Sequence, residues 1–213
     1  MKFKSTLIMC SLLTITACSQ RFQDVNATLA EAFLGADDVV MTAEEIKALP
    51  YASAYVRIND GAQIFVVLAF AEPNTATGVT QYKWMSSDRA LFVYEKGRLV
   101  KTIGLYGDNL HGVTRTEQTA NSWRVNYDWM PDYRYGYQGI ANRWADGNET
   151  INTAVASYQT EKYSERVQFD ALDYPLINEY WQDSETGKTV RAVEYIGPQM
   201  AKVEFTVLKQ PSM

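Results

Sequence analysis

The spacing of apolar residues divides the chain into three regimes. From Leu7 to Ala17 the sequence is uncharged and mostly Leu, Ile, Met and Ala. Residues 24–34 then place Val25, Leu29, Ala32 and Phe33 at helical spacing, with Gly35 as a stop. A second short helix is predicted from Thr42, where TAEEIKAL carries Glu45 three residues after the threonine, the pattern of a capping box. That helix ends at Leu49, because Pro50 disfavours a helical residue before it. Beyond Pro50 the period falls to two. Tyr51–Ile58 alternates, and Ile64–Ala71 is a continuous apolar run expected to be buried on both faces. Val79–Met85, Ala90–Tyr94 and Arg98–Leu105 follow, the last two joined by a turn at Glu95-Lys96-Gly97. Ser122–Trp129 and Tyr133–Tyr137 flank Met130-Pro131-Asp132, and Asn152–Tyr163, Ser164–Leu172, Ile177–Asp183, Thr189–Ile196 and Gln199–Leu208 complete the series. The prediction is an all-β, mainly antiparallel fold, a barrel-like or sandwich meander of roughly ten strands. Short peripheral helices lie near its N-terminus. No linker or fixed-period repeat divides the region, so residues 24–213 are expected to form one domain.

The first apolar run has its own meaning. Lys2 and Lys4 precede it, and it is too short to span a hydrocarbon core as a helix. It ends in Ile15-Thr16-Ala17-Cys18, which resembles the bacterial lipobox: a branched apolar residue, two small residues and the cysteine whose thiol receives diacylglycerol. Residues 1–17 are therefore expected to be a signal peptide, Cys18 the lipidation site and residues 18–23 a short tether. Three acyl chains on the mature cysteine would anchor it stably. Ser19 stands where inner-membrane lipoproteins of enteric bacteria often carry Asp, so the outer membrane is expected, with the domain in the periplasm.

Charge and composition narrow the chemistry. Loss of the two leader lysines takes the formal charge from −5 to −7, and there is no basic stripe, so nucleic acid is excluded as a partner. The second cysteine, Cys10, lies in the leader, which leaves the mature domain neither a disulfide nor a thiol nucleophile. His111 is the only histidine, in a predicted loop, so a histidine triad or multi-histidine metal site has too few members. No phosphate-binding, nucleophile-elbow or dinucleotide motif occurs. No catalytic residue, metal or cofactor is assigned.

Two residue sets remain as candidate sites. Fourteen tyrosines and five tryptophans are present, and residues 123–144 concentrate them. Trp129, Tyr133, Tyr135, Tyr137 and Trp144 are the candidate glycan contacts, since apolar C–H faces of sugars stack on aromatic rings. In a regular strand Tyr133, Tyr135 and Tyr137 would share one face. The competing reading is structural, because aromatic residues also fill barrel interiors and pair across strands. The second set is Arg57, Asp88, Arg98 and Lys101. An inward Arg57 would need a carboxylate, and Asp88 is the candidate partner in a structural ion pair. Asp and Glu are plentiful, but their spacing singles out no pair for glycoside hydrolysis.

Several segments together resemble a known family. They are TAEEIKALPYASAYVRIND, QIFVVLAFAE and YKWMSSDRALFVYEKGRLVKTIGL, with the Gly- and aromatic-rich stretch that follows. The most telling features are PYAS with Arg57 six residues after Tyr51, and Trp84-Met85-Ser86-Ser87-Asp88 leading to Gly97-Arg98-Leu99-Val100 and Thr102. These are similar to the YjbF/GfcB family, the group 4 capsule polysaccharide lipoproteins. The resemblance implies a barrel-like antiparallel fold and a place in a capsule or exopolysaccharide operon. It brings no catalytic residues. The expected function is that of a non-enzymatic accessory factor in polysaccharide assembly or export. Its expected partners are the membrane through the lipid, the polysaccharide, and an outer-membrane protein of the same operon. The alternatives are a periplasmic enzyme modifying the polysaccharide and a purely structural scaffold of an export complex.

Overall fold

The computed structural model describes residues 37–211. Expectations on residues 1–36, namely the signal peptide, Cys18, the tether and the first helix, lie outside the described residues.

One helix occurs among them, α1 (Ala43–Ala48). Thr42 caps it reciprocally: its hydroxyl accepts from the Glu45 N–H, and the Glu45 carboxylate accepts from the Thr42 N–H at 2.9 Å. Leu49 is already extended, as the following proline requires. Twelve strands follow: β1 (Ser53–Ile58), β2 (Ile64–Pro73), β3 (Thr80–Met85), β4 (Leu91–Glu95), β5 (Arg98–Ile103), β6 (Asn109–Thr119), β7 (Ser122–Met130), β8 (Arg134–Asn152), β9 (Ser157–Phe169), β10 (Leu176–Asp183), β11 (Thr189–Tyr195) and β12 (Lys202–Lys209).

Their order is that of an antiparallel meander whose ends meet. Apart from β5 and β6, consecutive strands pair with each other, and β12 returns to pair with β1. The sheet is thus barrel-like with one seam, between β5 and β6. Side chains bridge it: the Leu110 N–H donates to the Thr102 hydroxyl at 2.9 Å, and Asn109 exchanges two bonds of 3.0 Å with the backbone of Leu105. These contacts satisfy backbone groups where the ladder stops.

The interior follows from period-two alternation. Ala54, Val56, Ile64, Val66, Trp84, Phe92, Val125, Val167, Val203 and Phe205 form one inward cluster. A smaller outer cluster seats α1, with Ile46, Leu49, Phe65 and Leu208. Burial of β2 on both faces holds for Ile64–Val66, where α1 covers Phe65. Past Val67 the strand emerges into solvent, so the expectation of a wholly buried run fails there.

Three other differences are physical. The loop expected around His111 is strand β6, whose polar composition hid its alternation; His111 itself is exposed. The predicted strands 152–163 and 164–172 are one strand, β9, because no turn intervenes at Ser164. β8 runs well beyond Tyr137, through a polar half that periodicity does not mark.

Candidate functional site

The inward positions are not all apolar. Glu165 on β9 and Glu194 on β11 occupy the inward phase of their strands and are 0% and 3% exposed. Arg98, at the start of β5, donates from Nε to Glu165 at 3.1 Å. Its guanidinium lies between the rings of Trp123 and Tyr180, 4.9 and 5.0 Å from their centroids. This arrangement holds the cation by ring quadrupoles as well as charge. The Tyr180 hydroxyl donates to Glu194 at 2.9 Å and lies 3.4 Å from Glu165, so it links the two acids. Glu194 also accepts the Leu99 N–H through both oxygens, at 3.0 and 3.1 Å. A β11 side chain therefore braces β5 across the interior. Arg115 on β6, half-buried, lies in the field of the same two acids.

Burial sets the protonation of this cluster. Desolvation pushes the Glu194 carboxyl up to about 7, against the pull of the Leu99 N–H, Arg115 and Tyr180. Desolvation, with Glu165 and Glu194 adding to it, also holds the Tyr180 phenol well above its ordinary value, so it remains a donor.

Beside this cluster the interior opens into a cleft of about 320 Å³. Its walls are Tyr82 and Trp84 of β3, Tyr94 of β4, and Phe205 and Val207 of β12. Phe205 is the hub: its ring lies 5.3 Å from Trp84 and 4.4 Å from Tyr94. Two hairpin turns form the rim. Lys96-Gly97 joins β4 to β5 with positive φ at both residues (47° and 74°), the two-residue turn that matches strand twist. Gly187-Lys188 leads into β11. The turns meet, since a Cβ on Gly97 would fall 2.1 Å from the Thr189 hydroxyl oxygen; only glycine lets them close. Lys96 and Lys188 are exposed at this rim, and among the described residues no carboxylate lines the cleft. The Tyr94 hydroxyl is buried and has no hydrogen-bond partner among the described residues.

The predicted aromatic platform is not assembled. Trp129 is 1% exposed and its indole N–H donates to the Ile196 carbonyl, packed closely against Gly197. It is a core residue, which removes it as a glycan contact. Tyr137 pairs with Tyr127 and turns inward, its ring 4.9 Å from that of Trp129. A register shift between Tyr127 and Trp129, opposite Tyr135 and Gly136 (φ 79°), breaks the expected single face. Tyr133 and Tyr135 remain exposed at 74% and 47%, as an edge-on pair. Trp144 is exposed nine residues further along β8, on the order of 30 Å away at ~3.3 Å per residue. The five residues do not form one surface.

The predicted ion pair is also redrawn. Arg57 points outward, and its carboxylate partner is Asp38, at 2.6 Å, not Asp88; it donates as well to the Gly61 carbonyl at 2.7 Å. The Asp88 carboxylate accepts from the Ser86 hydroxyl within its own turn. The bidentate Arg57 contact holds the Asp38 carboxyl below its ordinary value. Among the described residues no cluster of three or more His, Cys, Asp or Glu is placed to hold a metal.

Glu165 and Glu194 were not singled out by sequence, yet a signal exists. Each interrupts an inward series, Ala192-x-Glu194-x-Ile196 and Glu165-x-Val167-x-Phe169, where an acid must find a buried partner. The cleft residues carry no such mark, because they come from β3, β4, β12 and two turns.

The comparisons with known proteins give this architecture its family. A family described as "Group 4 capsule polysaccharide lipoprotein gfcB, YjbF" matches residues 26–208. The chain belongs to this family. Two Escherichia coli K12 lipoproteins are similar to it across their length. YjbF is 33% identical, covering 98% of each chain, and GfcB is 29% identical, covering 92% of this chain and 94% of its own. The crystal structure of the hypothetical lipoprotein YmcC from Escherichia coli K12 superposes with a TM-score of 0.70 at 29% identity, over 81% of this chain and 91% of that one. As a YjbF/GfcB lipoprotein, the chain is a capsule-polysaccharide-related lipoprotein of barrel-like antiparallel fold.

Proposed function

We propose that this protein is an outer-membrane lipoprotein, anchored through Cys18 with its domain in the periplasm. There it acts as a non-enzymatic accessory factor in capsule or exopolysaccharide assembly or export, and it contacts the glycan in the aromatic cleft. The observation that carries the reading is the cleft itself. Tyr82, Trp84, Tyr94 and Phe205 offer ring faces in a concavity large enough for a sugar residue. The outer face favours water over lipid: ion pairs Lys162–Glu179 at 2.6 Å, Lys202–Glu204 at 2.9 Å and Arg191–Glu204 at 3.5 Å bridge neighbouring outward positions. A lipid-facing strand band would be apolar there.

An enzyme acting on the polysaccharide is the second reading, favoured by two buried acids sharing the Tyr180 hydroxyl, one of them titrating near neutrality. Against it, Glu165 is held by Arg98 and Glu194 by the Leu99 N–H, and neither lines the cleft. Incubating the purified protein with the polysaccharide of its own strain and measuring both retention and chain length separates the two. Retention that falls in Tyr82→Ala, with chain length unchanged, is the expected result. Shortening that disappears in Glu194→Gln would overturn the accessory reading.

A further inference from the structure

We propose that the cleft takes an anionic sugar residue, one bearing a carboxylate such as a uronic acid, with Lys96 and Lys188 meeting the acid and the Tyr94 hydroxyl receiving a ring substituent. The proposal rests on the glycan contact proposed above and adds the class of sugar.

Three observations carry it. The first is charge placement. The chain is acidic overall, at −5, yet among the described residues no Asp or Glu lines this concavity. Its two rim cations have no carboxylate partner among the described residues; several other cations share that state, but among the described residues Lys96 and Lys188 are the ones that line the cleft. The second is construction. Lys96 and Lys188 sit 92 positions apart in sequence, and the close approach of Gly97 to Thr189 brings their turns to one rim. Each lysine adjoins a glycine at positive φ (Gly97 74°, Gly187 68°), so both turns are conformationally specified. The third is the Tyr94 hydroxyl, buried, unpartnered and on a residue of the cleft wall. A buried hydroxyl without a partner is costly, and a ligand hydroxyl or ring oxygen would relieve it. An uncharged sugar would use the rings and Tyr94 but leave the lysines idle. An acyl chain would use the rings alone.

Titration calorimetry with the purified protein tests this, using a glucuronic acid oligomer, its carboxyl-reduced neutral counterpart, and dextran sulfate as an indiscriminate polyanion. The wild-type protein is expected to bind the uronate oligomer about tenfold more tightly than the neutral one, the scale of two partly solvated ion pairs. The doubly substituted Lys96→Gln, Lys188→Gln protein, folded by circular dichroism, is expected to bind both equally, at the wild-type neutral affinity. Tyr82→Ala is expected to weaken both. Equal wild-type binding of the two oligomers overturns the acid preference while leaving the glycan cleft standing. Binding of neither removes the glycan contact as well. Discrimination that survives in the double variant, or dextran sulfate binding that matches the uronate and ignores Tyr82→Ala, also overturns the proposal.

Discussion

Two neighbouring regions of the interior treat polar groups in opposite ways. In the cluster around Tyr180 each acid is engaged: Arg98 on Glu165, the Leu99 N–H on Glu194, one phenol between them. In the cleft a few strands away, the Tyr94 hydroxyl has no partner and the two rim lysines face no acid among the described residues. Buried polar groups that satisfy one another brace a fold, and an unpaired one on the wall of a cleft is free to meet a ligand. The same residue types thus serve stability in one place and, in the proposed function, recognition in the other, and the difference lies in their partners.

The harshest way to break the cluster is Glu165→Ala. It leaves the largely enclosed Arg98 without its counter-charge and is expected to cost about 3–5 kcal/mol in chemical denaturation. Loss of less than about 1 kcal/mol would mean that the pair is not a brace.

The next effect is on pH dependence. The folded protein holds the Glu194 proton to about 7, against an ordinary value of 4.5. The stability linked to this group is therefore fully present below about pH 4.5 and is lost as pH rises through 7. At about 1.4 kcal/mol per unit the decline amounts to about 3 kcal/mol. Glu194→Gln, which cannot ionise, is expected to flatten that part of the stability–pH curve; an unchanged slope would place Glu194 in a wetter setting. Asp38 acts in the opposite sense, because Arg57 lowers its value, so its contribution is lost as pH falls into the acid range.

The smallest effects sharpen the comparison most. Tyr180→Phe and Tyr94→Phe remove the same atom from two buried tyrosines. The first strips a donor from Glu194 and is expected to destabilise by about 1–3 kcal/mol. The second removes a hydroxyl with nothing to lose, and is expected to be neutral or to stabilise by up to about 1 kcal/mol while weakening glycan binding. Equal destabilisation by both would erase the distinction between the two regions.

The strand pattern was legible because alternation and turn residues are local properties. The Thr42–Glu45 cap, the Lys96-Gly97 hairpin and most strands could be read that way. β6 escaped because its polar residues hid the alternation, and so did the far half of β8. The aromatic stretch misled for a related reason. Composition shows that rings are abundant in 123–144, but a register shift decides that Tyr135 faces water and Tyr137 the core, and contact with Gly197 decides that Trp129 is buried. Arg57 found Asp38 instead of Asp88 because the partner came from the segment before α1. The cleft was illegible in principle: its walls and rim come from β3, β4, β12 and two turns, joined only by closure of the sheet.

In the proposed function, recognition resides in the cleft and not in the exposed aromatic pair of β8. The most direct measurement is the dissociation constant for the strain's own polysaccharide, taken for wild type, Tyr82→Ala, and the doubly substituted Tyr133→Ala, Tyr135→Ala protein, all checked for folding. Tyr82→Ala is expected to weaken binding about five- to tenfold, the scale of one lost stacking contact of about 1–1.5 kcal/mol, and the β8 double variant to bind as wild type does. Wild-type affinity in Tyr82→Ala together with loss in the double variant would contradict it.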